Sequence, residues 1–110
     1  MPRDTIAMVQ LAAHLQDAEI VALAEAFGGT RLYVPVKMTE RNRIAKAIGM
    51  DAALRLWEGI GVGTFRVPLA REVRVRHYRA KGLSTSKIAR KLGITETGVS
   101  KLLKRCALVK

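Results

Sequence analysis

Apolar residues recur along this chain at helical spacing, in short bursts divided by glycine and proline. Met8, Leu11, Ala12 and Leu15 form the first stripe, with Asp4 or Thr5 placed to cap it. Asp17 is placed to cap a second helix carrying Ile20, Leu23, Ala24 and Phe27, and Gly28-Gly29 stops it. Arg31–Val34 then reads as a short strand closed by Pro35, which confines it to a terminal or edge position. A third helix is expected from a Thr39 cap to Ile48. A fourth follows an Asp51 cap, with Ala53, Leu56, Trp57 and Ile60 as its stripe. Gly61-Val62-Gly63 ends that helix, Thr64–Val67 reads as a second strand before Pro68, and a basic helix runs from about Arg71 to Lys81.

A shift of 33 positions lays Ile20, Leu23, Ala24 and Phe27 on Ala53, Leu56, Trp57 and Ile60, Gly28 on Gly61, and Val34-Pro35 on Val67-Pro68. The order helix, glycine stop, short strand, proline therefore occurs twice. Two copies are too few for a solenoid. Their strands could pair within one chain or across a dimer, and chance punctuation by glycine and proline is the alternative.

The last quarter carries the sharpest pattern. Ile88, Ala89 and Leu92 line one short helix, Gly93 breaks it, and Ile94 plugs the turn. Val99, Leu102, Leu103 and Cys106 line a second helix at i, i+3, i+4 and i+7. Ser84 and Thr95 are placed to cap the two helices through their hydroxyls. The opposite face of the second helix holds Thr97, Ser100, Lys101, Lys104 and Arg105. This is the pattern of a helix-turn-helix, whose second helix can enter a DNA major groove.

Charge sharpens that expectation. The net charge is +11, yet residues 1–70 hold eight basic against seven acidic residues, while residues 71–110 hold twelve against two. Such a surplus points to a polyanion. A membrane surface suits it poorly, because the basic region has no Trp or Phe. Thr95, Glu96 and Thr97 lie where a recognition helix reaches base edges. Thr97 and Ser100 can donate to bases or phosphates, and Glu96 can accept from a cytosine amino group or favour the helix dipole. Lys101 can read guanine or hold phosphate. Lys104 and Arg105, with Ser84, Lys87, Arg90, Lys91 and Arg74, are the expected phosphate contacts, helped by Arg71, Arg76 and Arg79. A solvated helix face accounts for these charges singly but not for their joint surplus.

Other chemistry is sparse. The single cysteine excludes an intrachain disulfide, and Cys106 on the apolar stripe is expected to be a buried thiol. His14 and His77 read as surface or phosphate-facing groups, no nucleophile, base and orienting group converge, and no phosphate-binding glycine loop or metal-ligand cluster occurs. An enzyme, a cofactor, a metal and a small-molecule substrate are therefore not expected. The start of the chain lacks a signal-peptide pattern and no apolar run spans a bilayer, so a cytoplasmic protein is expected.

Gly28-Gly29-Thr30-Arg31-Leu32-Tyr33-Val34-Pro35, after an amphipathic helix and upstream of a helix-turn-helix, resembles the Mor transcription activator family of phages and prophages. The resemblance rests on Gly28, Gly29, Tyr33 and Pro35 and on residues 84–105. It implies an N-terminal dimerisation part, strands that pair between two subunits over the minor groove, and activation together with host RNA polymerase. The copy at 61–68 has the expected spacing to the helix-turn-helix, yet Arg66 stands in the tyrosine place. Gly28, Gly29, Arg31, Tyr33 and Arg66 are thus the strand candidates for a minor-groove contact, with an exposed strand-edge charge as the alternative for Arg66.

The expectation is a mainly helical protein with two short strands, residues 1–68 forming a helix-strand dimerisation region and 69–110 a helix-turn-helix domain. Its expected function is a phage or prophage transcription regulator, an activator by the resemblance, binding an inverted-repeat DNA site as a homodimer. A repressor with the same reading head, and a basic module for RNA or an acidic protein, are the alternatives.

Overall fold

The computed structural model describes residues 3–108, with side chains over residues 8–106; the caps expected of Asp4 or Thr5 lie outside the described side chains. Within this range the protein is mainly helical, with seven helices and one two-stranded antiparallel sheet. It divides into two compact units, one ending at Ala70 and one beginning at Arg71. Among the described residues no helix is long and apolar enough to cross a membrane.

The first unit runs α1 (Arg3–His14), α2 (Asp17–Phe27), β1 (Arg31–Val34), α3 (Arg43–Ile48), α4 (Met50–Ile60) and β2 (Gly63–Arg66). Its core takes Leu11, Ile20, Leu23 and Leu56 from the expected stripes and adds Ile44, which no stripe named, while Phe27, Trp57 and Ile60 are only half-buried. Leu11, Ile20, Leu23, Ile44 and Leu56 are almost wholly buried, and each contributes roughly 1.5–3 kcal/mol of transfer free energy. The stripe of α1 is narrower than expected: Leu11 and Leu15 are buried, but Ala12 is exposed. The Trp57 indole, half-buried, donates to the Pro35 carbonyl at 3.1 Å and ties α4 to the end of β1.

Three helix starts differ from the sequence expectation by a few residues, each for a local reason. Gln16, not Asp17, caps α2: the Gln16 N–H donates to Glu19 Oε1 at 2.8 Å in a capping box, which leaves Asp17 in the first turn. Asn42, not Thr39, caps α3, because its Oδ1 accepts from the Ile44 N–H at 2.9 Å, while the Thr39 carbonyl closes a preceding turn with the Asn42 N–H. Gly49 precedes α4, so Asp51 favours the helix dipole from within its first turn.

The two strands pair with each other inside one chain, in the register Arg31↔Arg66, Leu32↔Phe65, Tyr33↔Thr64 and Val34↔Gly63. Of the two arrangements that the repeat left open, pairing within one chain or across a dimer, the strands adopt the first. β2 begins one residue earlier than expected, but the pairing reaches Val67, whose N–H donates to the Thr30 carbonyl and whose carbonyl accepts from the Gly29 N–H. The repeat is visible in the fold. Its shift of 33 positions carries α2 onto α4 residue for residue, and it relates Leu32 to its own strand partner Phe65. The ribbon therefore has a local two-fold between those two side chains.

The second unit holds α5 (Arg71–Ala80), α6 (Thr85–Leu92) and α7 (Glu96–Leu108). Val75, Tyr78, Ile88, Ala89, Val99 and Leu102 close a small three-helix core.

Candidate nucleic-acid interface

The turn between α6 and α7 is fixed by backbone chemistry. Gly93 adopts the left-handed conformation, φ 68° and ψ 33°. That lets its N–H reach the Arg90 carbonyl and the Ile94 N–H reach the Ala89 carbonyl at 3.1 Å, the paired bonds of a Schellman stop. Both caps form as expected. Ser84 Oγ accepts from the Lys87 N–H at 3.3 Å at the start of α6. Thr95 Oγ1 accepts from the Gly98 N–H at 3.0 Å at the start of α7. The helix-turn-helix thus has its entry, turn and second start each held by a named group.

At about 100° per residue, an α-helix separates its faces by sequence alone. In α7, Val99 and Leu102 are buried and Leu103 and Cys106 half-buried on one arc. Glu96, Thr97, Ser100, Lys101, Lys104 and Arg105 are exposed over roughly the opposite half of the circumference. Thr97, Ser100, Lys101 and Lys104 occupy the middle of that arc. Arg105, at its edge, pairs with Glu72 of α5 at 3.1 Å. The pair is exposed on both sides, so Arg105 is held towards α5 only weakly.

On α6, Lys87 and Arg90 are exposed. Lys91 is also exposed, but its ammonium stands 5.3 Å from the centre of the Tyr78 ring, a cation–π placement that draws it back onto α5. Ser84 is exposed at the helix start, its hydroxyl already engaged as the cap.

Arg74 is the residue the structure moves from one role to another. The sequence points it at DNA phosphate, yet it is 8% exposed. Its Nε donates to the Tyr78 hydroxyl at 3.2 Å and its Nη2 to the Lys91 carbonyl at 3.1 Å. The cause is its place on α5, where Arg74, Val75 and Tyr78 share the face packed on the neighbouring helices. There the guanidinium satisfies a carbonyl in the last turn of α6, which has no partner within the helix. Arg79 has a similar task that the sequence did not reveal. Its Nη2 donates to Thr85 Oγ1 at 2.7 Å and fastens the start of α6 to α5. Arg71 and Arg76 remain exposed. Cys106 is half-buried, not buried as expected, and its thiol lies 3.9 Å from the Glu72 carbonyl it donates to.

The strand candidates stand in the first unit. Arg31, Tyr33 and Arg66 are exposed, Arg31 directly opposite Arg66 and Tyr33 opposite Thr64. Gly28 closes α2 through its N–H to the Ala24 carbonyl, and Gly29 extends the ribbon's pairing, so both act through backbone. Among the described residues no three His, Cys, Asp or Glu side chains gather as a metal site. Comparison with protein-family models, curated proteins and solved structures finds no match to this chain.

Proposed function

We propose that this protein is a sequence-specific duplex-DNA-binding transcription regulator whose reading head is α7. The observation that supports it best is the polar arc of Thr97, Ser100, Lys101 and Lys104 beside a capped helix start. Short hydroxyls and flexible ammonium groups on the first turns of such a helix reach base edges, while Lys87 and Arg90 of α6 reach the adjoining phosphates. The surplus of basic residues in the second unit supplies the salt-dependent part of the affinity. A two-fold homodimer would present two heads to an inverted repeat, with half-sites one or two helical turns apart. The resemblance to phage and prophage Mor activators favours activation with host RNA polymerase; a repressor would use the same head.

Selection of bound sequences from a random duplex pool tests this reading. An enriched inverted repeat is expected, lost at one position in Lys101→Ala. A pool that stays random, with heparin binding as well as duplex, would sink it in favour of a general basic module.

A further inference from the structure

The first unit is nearly neutral in sum but not in distribution. Of its eight basic residues, six lie between Arg31 and Lys46 or at Arg66, and Glu40 is the one acidic residue in those stretches. The strand register then sets Arg31 directly opposite Arg66 on the exposed face of the ribbon. Like charges directly opposite one another destabilise a strand pair, and the register places no carboxylate between them. Arg31 also lines, with Leu32, Tyr33, Asn42 and Arg43, a shallow cavity of about 300 Å³. Arg43 stacks its guanidinium 5.1 Å over the Phe27 ring, which holds the side chain while leaving the residue exposed. Asn42 spends its Oδ1 on the Ile44 N–H and keeps its amide N–H groups as donors.

We infer that Arg31, Arg43 and Arg66, with Asn42, form a second phosphate-binding surface, and that its ligand is the phosphodiester backbone of a nucleic acid. Guanidinium forks bind phosphate oxygens in pairs, and an anion between Arg31 and Arg66 removes the repulsion that the register creates. Three arginines spread over a ribbon and an adjoining helix suit a strand of phosphates. The surface does not depend on α7, so the protein grips DNA through each of its two units.

The test uses the full chain and a duplex of arbitrary sequence. Affinity is measured by fluorescence anisotropy from low to moderate salt for wild type, Arg31→Ala/Arg43→Ala and Arg66→Ala. Each lost phosphate contact should lower the slope of log K against log salt by about 0.9, hence by about 1.8 in the double variant. Arg66→Ala removes a like-charge pair, so it should melt no lower than wild type while losing about 0.9 of slope. Slopes equal to wild type in both variants overturn the inference. So does inorganic phosphate shifting the Arg31 Nε–H signal while the duplex slopes stay unchanged, which assigns a free phosphate instead. Failure of the reading head would look different: wild type would show no sequence preference, with the slope differences still readable.

Discussion

Arg74 Nη2 donates to the main-chain oxygen of Lys91 at 3.1 Å, from a side chain that is 8% exposed. A basic residue in the strongly basic second unit is thereby used to finish a helix. Arg74→Ala leaves that carbonyl without this donor, a loss on the order of 1–3 kcal/mol. The urea midpoint should fall, while the salt slope of DNA binding by the folded protein stays at the wild-type value. Arg90→Ala should do the reverse: stability within about 0.5 kcal/mol and a salt slope smaller by about 1. Equal slopes for Arg90→Ala and wild type would remove α6 from the interface.

Gly93 has open space around the position of a Cβ and a φ of +68°, so only backbone conformation opposes a side chain there. Gly93→Ala should cost about 1–2 kcal/mol, and Gly93→Asn less, because asparagine tolerates the left-handed region. Chemical denaturation of the two variants checks the order. If alanine is as stable as asparagine, the turn does not need the left-handed conformation.

Much of this was legible in the residues, for a physical reason. Where one face is buried and the chain reverses at a glycine, as at Ile88, Leu92, Gly93 and Val99, periodicity names both the element and its core. β1 was bounded correctly because Gly29 and Pro35 punctuate it. Other facts depend on what lies opposite. Alternation in Arg31–Val34 shows two faces but no partner strand, so pairing with β2 in the same chain had to be seen. Arg74 and Arg76 look alike in sequence, and only the packing of α5 separates the buried cap from the exposed charge. Thr39 and Asn42 are both good capping residues; Asn42 wins because its Oδ1 reaches the Ile44 N–H. In the candidate interface, the polar arc of α7 is readable from helical spacing, but the placing of Lys91 against Tyr78 and the weak pairing of Arg105 with Glu72 depend on how α5 packs.

Gly59 lies in the interior of α4, where helix propensity alone would favour alanine. A Cβ there would lie 2.1 Å from His14 Cδ2 and 2.6 Å from His14 Cγ. The missing side chain is what lets the end of α1 lie on α4. Gly59→Ala should therefore destabilise by about 1–3 kcal/mol through overpacking, despite the roughly 0.5–1 kcal/mol that alanine adds to a helix interior. In a His14→Ala background the same substitution should instead stabilise by about that smaller amount. A double-mutant cycle from urea unfolding measures the sign change, and additivity of the two substitutions would refute the contact.

Glu19 takes part in two contacts at once. It completes the capping box of α2 and receives both terminal nitrogens of Arg55, Nη1 to Oε1 at 2.9 Å and Nη2 to Oε2 at 2.7 Å. The Arg55 hydrogen bonds hold the Glu19 carboxyl below its ordinary value of 4.5, against a smaller opposing effect of burial. A carboxyl lowered in the folded state contributes stability that is complete above its unfolded value and lost as pH falls through the folded one. Glu19→Gln keeps a side chain that can serve the capping box but removes the charge. The stability difference between wild type and Glu19→Gln should thus be largest above pH 4.5 and close on acidification. Added salt should narrow it as well, since Arg55 and Glu19 are 39% and 20% exposed. Urea midpoints across that range decide the matter: a gap that stays constant as pH falls would mean that Glu19 stabilises this unit by its shape and not by its charge.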